Sequence, residues 1–492
     1  MGKYIISIDQ STQGTKALLF DGQGTLVLRT DLPHEQIIEG DGWVSHDGDE
    51  IYRNTLQVIR NLIAKSGIDK SAVAGIGISN QRETSLLWDR ATGEPLAHAV
   101  VWQCARASKH CEREAIQSHA EVIFQKTGLK LSPYFPAAKI AWLLENVEGA
   151  KELAKEHAIC HGTVDSYLVY RLTGGQSYLT DYSNASRTQL FNIFSLNWDK
   201  EICSWFGIDP ENLPQVVDSN SCFGYTDCEG FFDASIPIHS VLGDSHAALF
   251  GQNCRSVGMT KATYGTGSSI MMSIGRTPVL SSHGVVTSLA WGIDGKAEYV
   301  LEGNLNYTGA IITWLKDSMK LITSPGESEA LAEEACKNDG LYLVPAFTGL
   351  GAPYWDSHAR ASIVGMDRTT GRAELARAAL ECIAYQIADV IFAMEEDSRL
   401  RIGELRVDGG PTRNGYLMRF QSDILQASVR VPQTEELSGV GAAYMAGMAL
   451  GVWGEEVFER MSSRTYQPEL SSTDRDAKYA GWRRAVASVL TR

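Results

Sequence analysis

Three short turns put carboxylates, hydroxyls and glycines where a folded chain could handle phosphate groups. In the first, Asp9 ends the apolar run 4–8 and opens Gln10-Ser11-Thr12-Gln13-Gly14-Thr15-Lys16. A carboxylate at a strand end can hold a divalent cation through water while turn amides and hydroxyls face phosphate oxygens; otherwise it only caps the turn. In the second, Gly265-Thr266-Gly267 joins small residues that permit close approach to amides and a hydroxyl that donate hydrogen bonds. A tight β-turn without a ligand is the competing account. In the third, Asp408-Gly409-Gly410 follows the run 405–407 and Asn414 opens a helical stretch, a strand–turn–helix layout that can bind a nucleotide at a sheet end. Each turn is weak alone; three in one chain are a stronger signal. No Gly-x-x-x-x-Gly-Lys-Ser/Thr loop occurs, and no Gly-x-Gly-x-x-Gly follows the first strand. Both absences argue against a P-loop enzyme and a dinucleotide dehydrogenase.

A second set of residues could act on an alcohol. Asp244 follows the apolar stretch 236–242 within Gly243-Asp244-Ser245-His246. If a hydroxyl attacks a phosphoanhydride, one carboxylate must orient it and accept its proton. Asp244 is the candidate base, His246 its rival, and a carboxylate capping its own turn the alternative. Asn80-Gln81-Arg82-Glu83-Thr84 interrupts a buried strand with polar residues. Arg82 and Glu83 would offer neighbouring hydroxyls a fork of donors and an acceptor, or would form a solvated pair on a surface turn. Trp102 and Tyr134 are either flat walls for a carbon skeleton or ordinary core.

The elements that must hold these residues read as α/β. Runs 4–8 and 17–20 flank the first turn as a hairpin, 25–29 adds a strand, 49–66 has helical apolar spacing, and 73–79 reads as a buried strand. The layout returns later: strands around 258–263 and 270–272 flank the Gly-Thr-Gly turn, 371–393 and 416–425 read as helices, 404–407 as a strand, and 480–490 as a terminal helix. This duplication of layout, without residue identity, predicts two α/β domains, 1–247 and 248–492.

Composition narrows the class. The chain has 492 residues, 44% hydrophobic and 21% charged, which excludes a disordered or fibrous chain. A formal net charge of -15 argues against a nucleic-acid-binding role. Nine scattered cysteines form neither a disulfide framework nor a zinc spacing. Met1-Gly2-Lys3-Tyr4-Ile5 leads into a strand and not a leader, and no run of 18 apolar residues occurs. The expectation is a cytoplasmic protein without a membrane span.

Longer segments carry a resemblance. Tyr134-Phe135-Pro136-Ala137-Ala138-Lys139-Ile140-Ala141-Trp142-Leu143, and the stretch from Ala361-Ser362-Ile363-Val364-Gly365-Met366 to Glu381, resemble the two recurrent signatures of the FGGY carbohydrate kinase family, in the actin-like ATPase superfamily. Ser79-Asn80-Gln81-Arg82-Glu83-Thr84, Val101-Trp102-Gln103-Cys104, Thr180-Asp181-Tyr182-Ser183-Asn184-Ala185-Ser186-Arg187-Thr188 and the segment 345–356 are similar to its glycerol kinase branch. The resemblance implies two ribonuclease-H-like domains with the site in the cleft, and ATP-dependent phosphorylation of a primary hydroxyl, most simply glycerol to glycerol 3-phosphate. A larger polyol or ketose is the alternative within the family, and a non-catalytic actin-like ATP-binding protein the alternative outside it. Carried over position by position, Asp9 and Asp244 would lie at a magnesium ion, with Thr12, Gln13 and Lys16 at the phosphates. Arg82, Glu83, Trp102, Tyr134, Asp244 and Ser245 would line the polyol pocket, with Asp244 the base. Thr266, Gly309, Thr313, Gly410 and Asn414 would touch ATP. A homodimer or homotetramer is implied in the same way.

Departures from that branch are informative. Its members usually follow Gly-Asp with two glutamines, where this chain has Ser245-His246, and carry Phe where it has Ser269. A wider and more polar pocket is expected, one that favours a longer polyol or a ketose. The first turn commonly reads Asp-x-Gly-Thr-Thr/Ser, whereas here it reads Asp9-Gln10-Ser11-Thr12-Gln13, with Lys16 in place of a frequent Arg. The segment 230–237 has no basic residue, so regulation by a sugar bisphosphate at that loop is not expected.

Overall fold

A computed structural model describes residues 3–40, 42–336 and 340–491; Met1 and Gly2, part of the leader reading, lie outside them. The predicted hairpin forms as Tyr4–Gln10 paired antiparallel with Gly14–Phe20, with Asp9 opposite Lys16. Leu26–Pro33 continues the meander. On its other side Tyr4–Gln10 pairs in parallel with Val73–Asn80, which pairs in parallel with Ile236–Gly243. Cys222–Thr226 completes this six-stranded mixed sheet at its edge. Its central strands Tyr4–Gln10 and Val73–Asn80 are buried on both faces, so they read as apolar runs with little alternation. The helix Gly48–Ser66 covers one face; Asp47 caps it by accepting from the Asp49 amide, and Ile51, Leu56, Ile59 and Leu62 face inward.

The second half repeats the order. Thr260–Tyr264 forms a hairpin with Ser268–Gly275, Lys296–Leu305 and Val286–Ile293 extend the antiparallel side, and Glu404–Asp408 then Ser428–Pro432 add parallel strands on the other side. Ser463–Tyr466 closes the seven-stranded sheet. Against it packs the helix Arg372–Ser398, buried along most of its length. The predicted duplication is therefore visible as matching strand order in two α/β domains with mixed sheets flanked by helices.

Two helices join the halves. Asp244–Gly251, which runs through residue 247, packs against Leu437–Ala449, and that helix also lies on the first sheet. Their approach needs glycine at Gly441, where a Cβ would stand 1.8 Å from the Ala247 carbonyl oxygen. Tyr444 and Trp453 tie the second half to the first turn region by donating to the carbonyls of Gly24 and Asp21. The terminal helix is Ser472–Ala487, earlier than predicted, because Ser471 caps it by accepting from the Asp474 amide. All nine cysteines are unpaired. Among the described residues no helix is long and apolar enough to cross a membrane.

Candidate active site

Asp9 stands at the end of its strand, 5% exposed. Its carboxylate accepts from Ser79 Oγ at 3.3 Å and lies 3.4 Å from Lys16 Nζ. Burial pushes the Asp9 carboxyl up; Lys16 opposes this, while Glu436 and Asp244 add to it. The turn beside it is clamped. The Thr12 hydroxyl accepts from Trp102 Nε1 at 2.9 Å, and its carbonyl is 2.8 Å from His34 Nε2. Gln13 is exposed, and Lys16 donates to Glu436 from the far half of the chain.

Arg82 and Glu83 are not a surface pair. Both are buried in the turn between Val73–Asn80 and Ser85–Asp89, with Glu83 at φ 61°. The Arg82 fork is occupied: both terminal amino groups donate to the Glu302 carboxylate at 2.9 Å, and Nε is 3.3 Å from Asp244 Oδ1. Glu83 accepts from Arg187 Nε at 2.7 Å, and Arg187 also lies 3.0 Å from Glu302. Burial works to raise the Glu302 carboxyl, but Arg187 and Arg82 overrule it and hold it below the usual range. Trp102 and Tyr134 meet edge to face at 5.7 Å, both half-buried, and Tyr134 lies against Arg187. They pack beside the Arg82–Glu302–Arg187–Glu83 cluster and are not deep core.

Asp244 begins the helix Asp244–Gly251 and is partly exposed, with its side chain turned to Arg82. Ser245 is half-buried beside it. His246, the rival base, is fully enclosed: Nε2 is 3.4 Å from Ser288 Oγ, Nδ1 has no partner, and burial pushes it well below an ordinary histidine. It cannot reach a hydroxyl in the cleft. Ser269 pairs with Asn304 across adjacent strands, and its hydroxyl is buried without a partner.

On the second sheet a cavity of 580 Å³ is lined by Thr266, Gly309, Thr313, Gly410 and Asn414 together with Ile312, Leu380 and Leu417. Its floor is backbone: Gly309 and Ala310 amides donate to the Gly265 and Thr266 carbonyls. Gly409, at φ 99°, brings the third turn so close that a Cβ would meet the Tyr264 oxygen at 2.0 Å. Asn414 caps Gly415–Leu425 by accepting from the Leu417 amide. The five residues assigned to the nucleotide thus meet in one cavity. Sequence reasoning missed Arg187, Glu302 and Lys261. The last is buried, donates to Thr263 Oγ1 at 2.9 Å, and faces both Asp408 and Asp244.

The first half carries a buried cluster of paired charges beside one partly exposed carboxylate, and the second carries a cavity lined by turns and helix starts. Residues 4–251 match the FGGY family of carbohydrate kinases, N-terminal domain, and residues 260–450 match its C-terminal domain. The chain belongs to this family and is an ATP-dependent carbohydrate kinase. It is 45% identical over 490 residues to a glycerol kinase of Oceanobacillus iheyensis, covering 99% of this chain and 98% of that protein. Glycerol kinase 1 of Thermotoga maritima is 46% identical over 491 residues, 99% of this chain and all of that protein. The crystal structure of Plasmodium falciparum glycerol kinase with ADP superposes with a TM-score of 0.94 at 34% identity, covering 100% of this chain and 99% of the other.

Proposed function

We propose that this chain transfers the γ-phosphoryl group of ATP to a primary hydroxyl of glycerol, giving glycerol 3-phosphate. The observation that carries the reading is Asp244, a partly exposed carboxylate at a helix start beside buried Arg82. Asp244 orients the attacking hydroxyl and accepts its proton, while Arg82 and Glu83 hold the neighbouring hydroxyls between Trp102 and Tyr134. Thr266, Gly309, Thr313, Gly410 and Asn414 bind the nucleotide; Thr12, Gln13 and Lys16 approach its phosphates. Asp9 and Asp244, at strand ends of one sheet, repel each other, and among the described residues no cluster of three acidic, His or Cys ligands exists. That donor set fits Mg²⁺, which is held through one or two carboxylates with water and phosphate oxygens as its other ligands. When bound, Mg²⁺ neutralises charge developing on the phosphates.

The reading includes two ribonuclease-H-like domains, 1–247 and 248–492, supported by the matching strand orders, and a cytoplasmic homodimer or homotetramer by likeness to the family. A second substrate reading, a longer polyol or ketose, is favoured by one observation, the unpartnered Ser269 hydroxyl beside Asn304. Magnesium-dependent ADP release measured across glycerol, tetritols, pentitols, ketopentoses and ketohexoses tests both. Glycerol is expected to give the highest kcat/KM. A pentulose preferred over glycerol overturns the glycerol assignment and leaves the phosphotransfer standing.

A further inference from the structure

Glu302 comes from the strand Lys296–Leu305 of the second half, 220 residues from Arg82. A lone carboxylate in an apolar strand, fully buried, is costly unless it is paired. Here it is paired twice, with Arg82 and Arg187, which both come from the first half. Arg187 in turn holds Glu83. The four charges cancel, and both ion pairs of Glu302 join the two halves.

Counting donors shows what the arrangement achieves. A guanidinium has five N–H groups. Glu302 takes one from each terminal amino group of Arg82; Nε is turned to Asp244. Two N–H groups on the fork remain for a ligand, and their direction is set by the carboxylate behind them. Asn304 Nδ2 donates to Glu302 Oε1 at 3.1 Å and fixes that carboxylate from the other side. The groups facing this centre from the remaining packed elements are His246, Lys261, Glu83 and Asp244. Without Glu302, the terminal amino groups of Arg82 would be left with Asp244, which already meets Nε, and with Glu83.

We infer that Glu302 is a positioning residue for the polyol site, supplied by the nucleotide-binding half, which holds both terminal amino groups of Arg82 so that the fork is aimed at the polyol and only Nε meets Asp244. The polyol pocket is then complete only when the two halves are closed on each other. This rests on the reading of Arg82 as a polyol ligand.

The test uses the full chain with whichever polyol of the panel it turns over fastest. Glu302→Gln keeps the shape and removes the charge. Its polyol KM is expected to rise about tenfold or more, as for a lost charge-assisted hydrogen bond, and kcat to fall as Arg82 moves onto Asp244. The dissociation constant for ADP should stay within about twofold, because the nucleotide cavity contains none of these residues. Glu302→Asp, which keeps the charge but draws it back by one methylene, should raise the polyol KM by a smaller factor, several-fold. A merely structural role would lower the active fraction and leave the polyol KM unchanged. A polyol KM within about twofold of the parent in folded, ADP-binding Glu302→Gln overturns the inference. Should that variant fail to fold, an unchanged polyol KM in Glu302→Asp overturns it, and a KM raised several-fold with ADP binding intact supports it. Absence of polyol turnover by the unsubstituted chain counts against the substrate reading instead.

Discussion

The two halves build the same corner of the fold with opposite electrical outcomes. In each, a third parallel strand runs into a helix whose first turn carries a carboxylate: Ile236–Gly243 leads to Asp244, and Ser428–Pro432 leads to Glu436 ahead of Leu437–Ala449. Asp244 has one guanidinium beside it at 3.3 Å and is partly open to the cleft. Glu436 is saturated by Lys16 and Arg29 and is largely covered. The strands inside them differ in the same sense. Asp9 lies opposite Ser79 in the first sheet, and Thr263 lies opposite Asp408 in the second, so carboxylate and hydroxyl have exchanged strands. The first half thus presents its acids to the cleft. The second sets its own Asp408 against Lys261 and lines its cavity with glycines, hydroxyls and apolar side chains. A duplicated scaffold has been divided into a charge-handling side and a shape-handling side.

The sharpest way to break that comparison is at the paired helix starts. Asp244→Asn should lower kcat about 10³-fold, the scale of a lost general base, with ADP affinity unchanged. Glu436→Gln, which loses its ion pairs with Lys16 and Arg29 but no group at the attacking hydroxyl, should cost about tenfold or less. Steady-state ADP release with both variants decides it; near-parent turnover in Asp244→Asn removes Asp244 as the base.

A smaller contrast lies inside the sheets. Asp9→Asn leaves Lys16 paired with Glu436, so stability should hardly change while kcat falls about 10²-fold through lost charge stabilisation. Asp408→Asn strips Lys261 of its nearest anion inside the core. It should cost about 1 to 3 kcal/mol of stability, as removing a compensating group from a buried polar one does, and less turnover than Asp9→Asn. Urea midpoints beside kcat for each variant test the exchange; equal stability losses in both would erase the distinction.

What was legible in the sequence follows the range of the interaction. Turns and strand ends depend on neighbours in the chain, so Asp9, Gly265-Thr266-Gly267 and Gly409-Gly410 stand at strand ends as expected. Arg82 and Glu83 were recognisable by type, but that the Arg82 fork is already taken was not, because its partner arrives from another sheet. Arg187 and Glu302 were missed for the same reason. One local signal existed: Glu302 sits in the otherwise apolar stretch 299–301 and Gly303, and a charge there calls for a buried partner. His246 was weighed as a base because residue type says nothing of which helix face turns inward.

The smallest effect on activity, and the most direct probe of burial, concerns the second enclosed lysine. Lys261 faces a carboxylate, whereas Lys139 donates only to the carbonyls of Pro133 and Tyr134 beneath the polyol wall. Burial pushes both lysines down, and Lys139, opposed chiefly by Glu83, falls to about 7. In the unfolded chain it titrates near the ordinary lysine value of about 10.4. Between those limits the folded state carries fewer protons than the unfolded one, so this group makes stability rise with pH from about 7 upward. The slope approaches about 1.4 kcal/mol per pH unit in mid-window. Lys139→Met should remove that rise while changing kcat by no more than about threefold, since an unbranched apolar chain of similar length fills the same space. Urea midpoints at pH 7, 8 and 9 for both proteins provide the check: parallel curves would mean that Lys139 stays charged in the fold, and the contrast with Lys261 would then rest on geometry alone.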